Sequence, residues 1–77
     1  KHQHYNEYIM TNLRTMWGVD IKIIENRFGE SLKNYFAKEI KKWINKNYVI
    51  NEKNNFKLSQ EGKMFSNQIS SDMFLID

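Results

Sequence analysis

His2 and His4 are the first residues whose type and spacing suggest chemistry, because alternate positions on an extended chain can turn two imidazoles toward one metal ion. Two ligands at a chain end make no metal site without further donors, so both are read as surface histidines. Cysteine is absent, which removes disulfides, zinc ribbons and thiolate-held iron–sulfur clusters from what this chain can build. With both histidines in the first four residues, no Cys/His or Ser/His/Asp set is available for nucleophilic catalysis. The three glycines are isolated, so no glycine-rich loop can cradle a phosphate. What remains is charge. Glu7 and Arg14 fall two turns apart on one expected helix, too far for a direct i,i+4 pair. Eight lysines lie between residues 31 and 63 against only Glu39, Glu52 and Glu61, a local net of +5. Residues 1–30 balance and the last fourteen carry Asp72 and Asp77, which together give the formal +3 of the chain.

The elements that must carry these residues centre on the stretch from Ser31 to Ser59. Leu32, Tyr35, Phe36, Ile40, Trp43 and Ile44 recur at helical spacing and give one broad apolar face. Lys33, Lys38, Lys41 and Lys42 fall mostly on the other side as a candidate basic face. Ser31 is expected to cap this helix, and Asn47 to end it in the left-handed conformation. Two short runs rich in β-branched and aromatic residues follow, split by Lys53-Asn54-Asn55, and read as a hairpin. Its register is open between a three-residue loop and a two- or four-residue loop. The second is preferred because it turns Val49 to the core with Phe56 and Leu58.

Ahead of this lie two shorter helices. The first is expected to be capped by Asn6 and to run to about Trp17, burying Tyr5, Ile9, Leu13, Met16 and Trp17 with Tyr8 and Met10 widening the face, and residues 1–5 are expected to fray. Gly18 is expected in a left-handed conformation. Asp20 caps the second helix, Ile21 to Phe28, with Val19 and Ile24 as a hydrophobic staple and Gly29 as its end. After the hairpin, Ser59 is expected to cap a fourth helix, weakened by Gly62 at about 1 kcal/mol relative to Ala. Met64, Phe65, Ile69 and Met73 would form its buried stripe, and the apolar ending Met73 to Ile76 suggests docking. Three helices joined by short links, then a hairpin and a last helix, give an α+β, winged-helix-like fold over residues 1–77 as a single domain. In such a fold the lysine-bearing helix and hairpin are the elements that would face DNA. Lysine without arginine, interrupted by Glu39, is read as a solvated face, so nucleic acid is not an expected partner.

A chain of 77 residues without Cys, signal peptide or a run of ~20 apolar residues points to a cytoplasmic setting and no membrane span. It begins with Lys and reads as a fragment of a longer protein. Its two Trp, four Tyr and five Phe supply the large buried areas that a domain this small needs.

A spaced series of residues carries a family resemblance. Glu7-Tyr8-Ile9-Met10, Asn12-Leu13-Arg14, Gly18, Phe28-Gly29, Lys46-Asn47-Tyr48-Val49, and Leu58-Ser59-x-Glu61-Gly62-Lys63 with Ser66-Asn67 follow one another in order. The series resembles the C-terminal domain of the oxygen-independent coproporphyrinogen III oxidase-like and haem-chaperone radical SAM proteins, from Glu7 to about Ile69. Asn47 stands where a Gly is usual, and Ser59 where a Thr is usual. The resemblance implies an accessory domain that packs on or covers a catalytic barrel and is not itself catalytic. It implies an iron–sulfur cluster, S-adenosylmethionine, and porphyrinogen or haem for the parent protein, with no cofactor in this domain. For Glu7 and Arg14 it raises contact with the barrel or its substrate, against the plainer reading of a helix-surface charge and a packing or capping Arg. The alternative is a free-standing winged-helix nucleic-acid-binding module using the lysines.

Overall fold

The computed structural model describes residues 2–74. Its order is α1 (His2–Asn12), β1 (Val19–Asp20), α2 (Ile21–Phe28), α3 (Glu30–Asn45), β2 (Val49–Glu52), β3 (Asn55–Leu58), a 3-10 helix (Gly62–Phe65) and α4 (Ser66–Met73). The α+β, winged-helix-like arrangement is as expected, with one element the sequence reading lacked. Val19-Asp20 pairs antiparallel with Asn55-Phe56, so the hairpin becomes a three-stranded sheet in the order β1-β3-β2. Two residues are too short for an alternating pattern to reveal a strand.

Gly29 makes the tightest junction. At φ 99° it occupies backbone space that favours glycine, and its amide donates to the Glu25 carbonyl as α2 ends. The helix α3 then starts at once, its first amide bonds reaching back to Gly29, with no side-chain cap. Ser31 therefore lies inside the first turn and is not the cap. Asp20 does cap α2, its Oδ1 accepting from the Lys22 amide at 2.9 Å. At its far end α3 closes through Asn47 at φ 66°. The Asn47 amide donates to the Ile44 carbonyl and the Tyr48 amide to the Trp43 carbonyl, a Schellman pairing that sends the chain directly into β2.

The hairpin has a two-residue loop, Lys53-Asn54, and pairs Val49 with Leu58 and Glu52 with Asn55. That register puts Val49, Phe56 and Leu58 in the core, as preferred. Around them pack Tyr5, Ile9 and Leu13 from the α1 side, Val19, Ile24, then Phe36, Ile40 and Trp43 of α3, and Ile69 and Met73 of α4. Edge-to-face pairs join Tyr5 to Phe28 and Phe36 to Phe56, which lock ring orientations within this core.

Several expectations fail near the chain's ends. The helix α1 starts before Asn6, inside the stretch expected to fray, while Tyr5 is fully buried as its place in the stripe requires. It stops at Asn12 instead of near Trp17, because the Asn12 side chain and carbonyl are taken up locally. Its Nδ2 donates to the Tyr8 carbonyl, and its own carbonyl accepts from Thr15. Met16 and Trp17 consequently leave the helical phase and are 72% and 71% exposed. Ser59 Oγ accepts from the Gly62 amide at 3.0 Å, as a cap would, but the turn it opens is 3-10 and α4 begins only at Ser66. The tighter winding shifts phase, so Ile69 and Met73 are buried while Met64 and Phe65 face outward. Gly62 is no weak point, since a Cβ there would sit 1.9 Å from the Tyr48 carbonyl oxygen. The apolar ending beyond Phe74 lies outside the described residues.

Candidate functional site

The segment from Leu13 to Gly18 is short, lacks repetitive structure and is tied along most of its length. Leu13 is buried as an anchor and its amide donates to the Ile9 carbonyl. Thr15 Oγ1 donates to the Asn12 carbonyl at 2.8 Å and accepts from the Gly18 amide at 3.0 Å. Asn55 Nδ2 on β3 donates to the Trp17 carbonyl at 2.9 Å. Gly18, at φ 74°, brings the loop so close to β3 that a Cβ would lie 2.2 Å from the Phe56 carbonyl oxygen. These ties fix the backbone while leaving the Met16 and Trp17 side chains in water. Most of a Trp side chain held outward on a fixed loop costs hydration free energy that burial against a second surface would recover.

Arg14 sits beside them. Its Nη2 donates to Asn67 Oδ1, which ties the loop to the first turn of α4, the element that follows the 3-10 helix with its exposed Met64. Glu7 and Met10 lie three residues apart on the exposed side of α1, leading toward the same loop. Glu7 and Arg14 do not meet as a helical pair, because the helix ends between them. The two charges that the family resemblance picked out thus lie on the same stretch of chain as exposed Met10, Met16 and Trp17. Sequence periodicity misread Met16 and Trp17 as core, although the local hydrogen-bonding types Asn12 and Thr15 were a signal that the helix stops.

The lysines of α3 are differently spent. Lys42 Nζ lies 2.9 Å from Asp72 Oδ2, which also accepts from Trp43 Nε1 at 3.1 Å. The Asp72 hydrogen bond pushes the Lys42 ammonium above its ordinary pKa. Lys33 pairs with Glu25 at 3.5 Å, and on β3 Lys57 pairs with Glu52 at 3.0 Å. Lys38 and Lys41 are exposed and have no ion-pair partner among the described residues. Glu39 is half-buried on a different side of the helix from these two, so it does not interrupt them. The basic face is therefore two free lysines rather than four.

An aromatic ladder closes the other side of α3. Trp43 stacks on Tyr48 at 5.9 Å and Tyr48 on Phe65 at 5.1 Å, with Lys46 Nζ 5.0 Å above the Trp43 ring. Trp43, expected as core, is 5% exposed and belongs to this packing. Burial also raises the Tyr8 hydroxyl's pKa, although that hydroxyl accepts from the Asp20 amide at 3.1 Å and so ties α1 to β1.

Among the described residues the donor set does not fit a cluster or a metal ion. Thiolates are absent from the sequence, and no three His, Asp or Glu side chains converge among the described residues. No helix among them is long and apolar enough to cross a membrane. Compared with known proteins, residues 1–65 match the family model described as HemN C-terminal domain. Neither the curated proteins nor the solved structures give a match.

Proposed function

The chain belongs to the HemN C-terminal domain family, and from that premise we propose that it is the accessory C-terminal domain of an oxygen-independent coproporphyrinogen III oxidase-like radical SAM protein. In this role it packs on or covers the parent's catalytic barrel and performs no chemistry of its own. The observation that carries the reading is the family match over residues 1–65. The site chemistry supports it, since the chain has apolar and charged docking groups at Glu7, Met10, Arg14, Met16 and Trp17 but no ligands for a cluster. The iron–sulfur cluster and S-adenosylmethionine belong to the parent's barrel, as does the porphyrinogen or haem on which it acts.

Deleting residues 1–77 from the parent tests this. The truncated parent should keep its cluster absorption while losing porphyrinogen turnover or haem transfer by at least tenfold. Loss of the cluster together with this segment would contradict an accessory role.

A free-standing nucleic-acid module is a second reading, favoured by one observation: Lys38 and Lys41 form an acid-free outward strip on the helix that winged-helix proteins use for DNA. Two free point charges are too few to rival the first reading. Each neutralised phosphate contributes only about −0.9 to the log–log salt slope.

A further inference from the structure

We infer that the face built from Met10, Met16, Trp17 and Met64, rimmed by Glu7 and Arg14, is the surface that docks onto the preceding domain of the same polypeptide. This rests on the proposed accessory role and names the contact that the role requires. Four large apolar side chains, 43%, 72%, 71% and 82% exposed, lie on α1, the 13–18 loop and the 3-10 helix. The Arg14–Asn67 hydrogen bond ties the loop to the first turn of α4, which follows directly on the 3-10 helix. The loop is already rigid, held by Thr15, Gly18 and Asn55, so docking requires little further ordering of the backbone.

Area decides between a fused domain and a second copy of this chain. A whole aromatic side chain buries about 150–250 Å², so the exposed parts of these four residues amount to on the order of 500 Å². A stable interface between free partners needs about 800 Å² from each. Domains within one chain hold together through smaller surfaces, because the linker supplies an effective concentration on the order of millimolar. The helix α1, whose Glu7 and Met10 are exposed, leads directly into the loop. Trp17 is the expected anchor, since interface energy concentrates in Trp, Tyr and Arg set in a pocket.

Hydroxyl-radical footprinting read by mass spectrometry tests the assignment, comparing the 77-residue chain with the full-length parent. Met16 and Trp17 should oxidise at least fivefold more slowly in the parent, while Ile23 and Ile50, exposed on α2 and β2, keep their rates. Trp17→Ala in the parent should then speed oxidation of Met16 without lowering the melting temperature of the isolated chain. If Ile23 or Ile50 slows while Met16 and Trp17 do not, another face docks; the inference fails and the accessory role stands. If no exposed residue slows, the domain does not pack on its parent and both fail. Concentration-dependent protection of Trp17 in the isolated chain would make the occupant a second copy and overturn the inference.

Discussion

Gly62→Ala is the substitution on which sequence logic and packing disagree in sign. Helix propensity alone gives Ala an advantage of about 1 kcal/mol at an ordinary helical position. At Gly62 the added Cβ would lie 1.9 Å from the Tyr48 oxygen and 2.8 Å from the Tyr48 carbonyl carbon, where ordinary contact begins at 3.4 Å. Both obstacles are backbone, so no side chain can rotate out of the way. Tyr48 is held on both sides, its amide donating to the Trp43 carbonyl at 3.0 Å and its carbonyl accepting from the Ser59 amide at 2.9 Å. Relieving the clash must pull the 3-10 helix away and loosen the Ser59 Oγ bonds to the Asn47 carbonyl and the Gly62 amide. Overpacking costs about 1–3 kcal/mol, and one or two weakened hydrogen bonds add about 1 kcal/mol each. After subtracting the propensity gain, the net loss is about 1–4 kcal/mol. For a domain of this size that lowers the melting temperature by roughly 4–30 °C. Thermal melts followed by circular dichroism at 222 nm read the effect. A variant that melts with the parent sequence or above it would refute the close approach of the 3-10 helix to the end of α3.

Trp43→Ala should cost ~3–5 kcal/mol, because it empties the space between α3 and Tyr48 and strips Asp72 of its indole donor; an unchanged chemical-denaturation midpoint would refute its place in the core. Tyr5→Phe should stabilise by about 1–2 kcal/mol, since the Tyr5 hydroxyl is fully buried with no hydrogen-bond partner among the described residues; a lower melting temperature would mean the hydroxyl is satisfied. Stability should fall as pH rises above about 10. Burial raises the Tyr5 pKa and the Asp72 hydrogen bond raises that of Lys42, so the folded state holds protons that the unfolded chain has begun to lose. A melting temperature that is flat from pH 8 to 11 would contradict both assignments. Binding to mixed-sequence duplex DNA, read by fluorescence anisotropy, should be no tighter than ~10⁻⁴ to 10⁻⁶ M at physiological salt. Submicromolar, sequence-selective binding there would promote the nucleic-acid reading.

Much of the fold was legible because its punctuation is local. Asp20, Gly29 and Asn47 sit where cap and left-handed chemistry require them, and each does what its residue type suggests. The face of Phe36, Ile40 and Trp43 needed only a period of 3.6. Two losses occurred where long-range contacts outweigh the local pattern, and a third where local side-chain bonds stop a helix. β1 exists because β3 pairs with it, and Gly62 is required by the carbonyl of Tyr48, fourteen residues earlier in the chain. Met16 and Trp17 continued the apolar stripe of α1 in sequence, yet Asn12 and Thr15 turned the chain before that stripe could be buried. Of the candidate site, Glu7 and Arg14 came from family spacing and the lysines from composition. The exposed apolar residues that link the first pair were visible only once the helix end was known. Lys42 and Lys33 looked free in the sequence because their partners, Asp72 and Glu25, lie on other helices.

Anaerobic reconstitution with iron and sulfide, followed by desalting and ultraviolet–visible spectroscopy, tests the central claim most directly when run on the 77-residue chain beside its full-length parent. The parent should retain a cluster absorption band, and the chain, with no thiolates and no converging carboxylates or imidazoles among its described residues, should retain none. A band that stays with the isolated chain through desalting would contradict an accessory, non-catalytic domain.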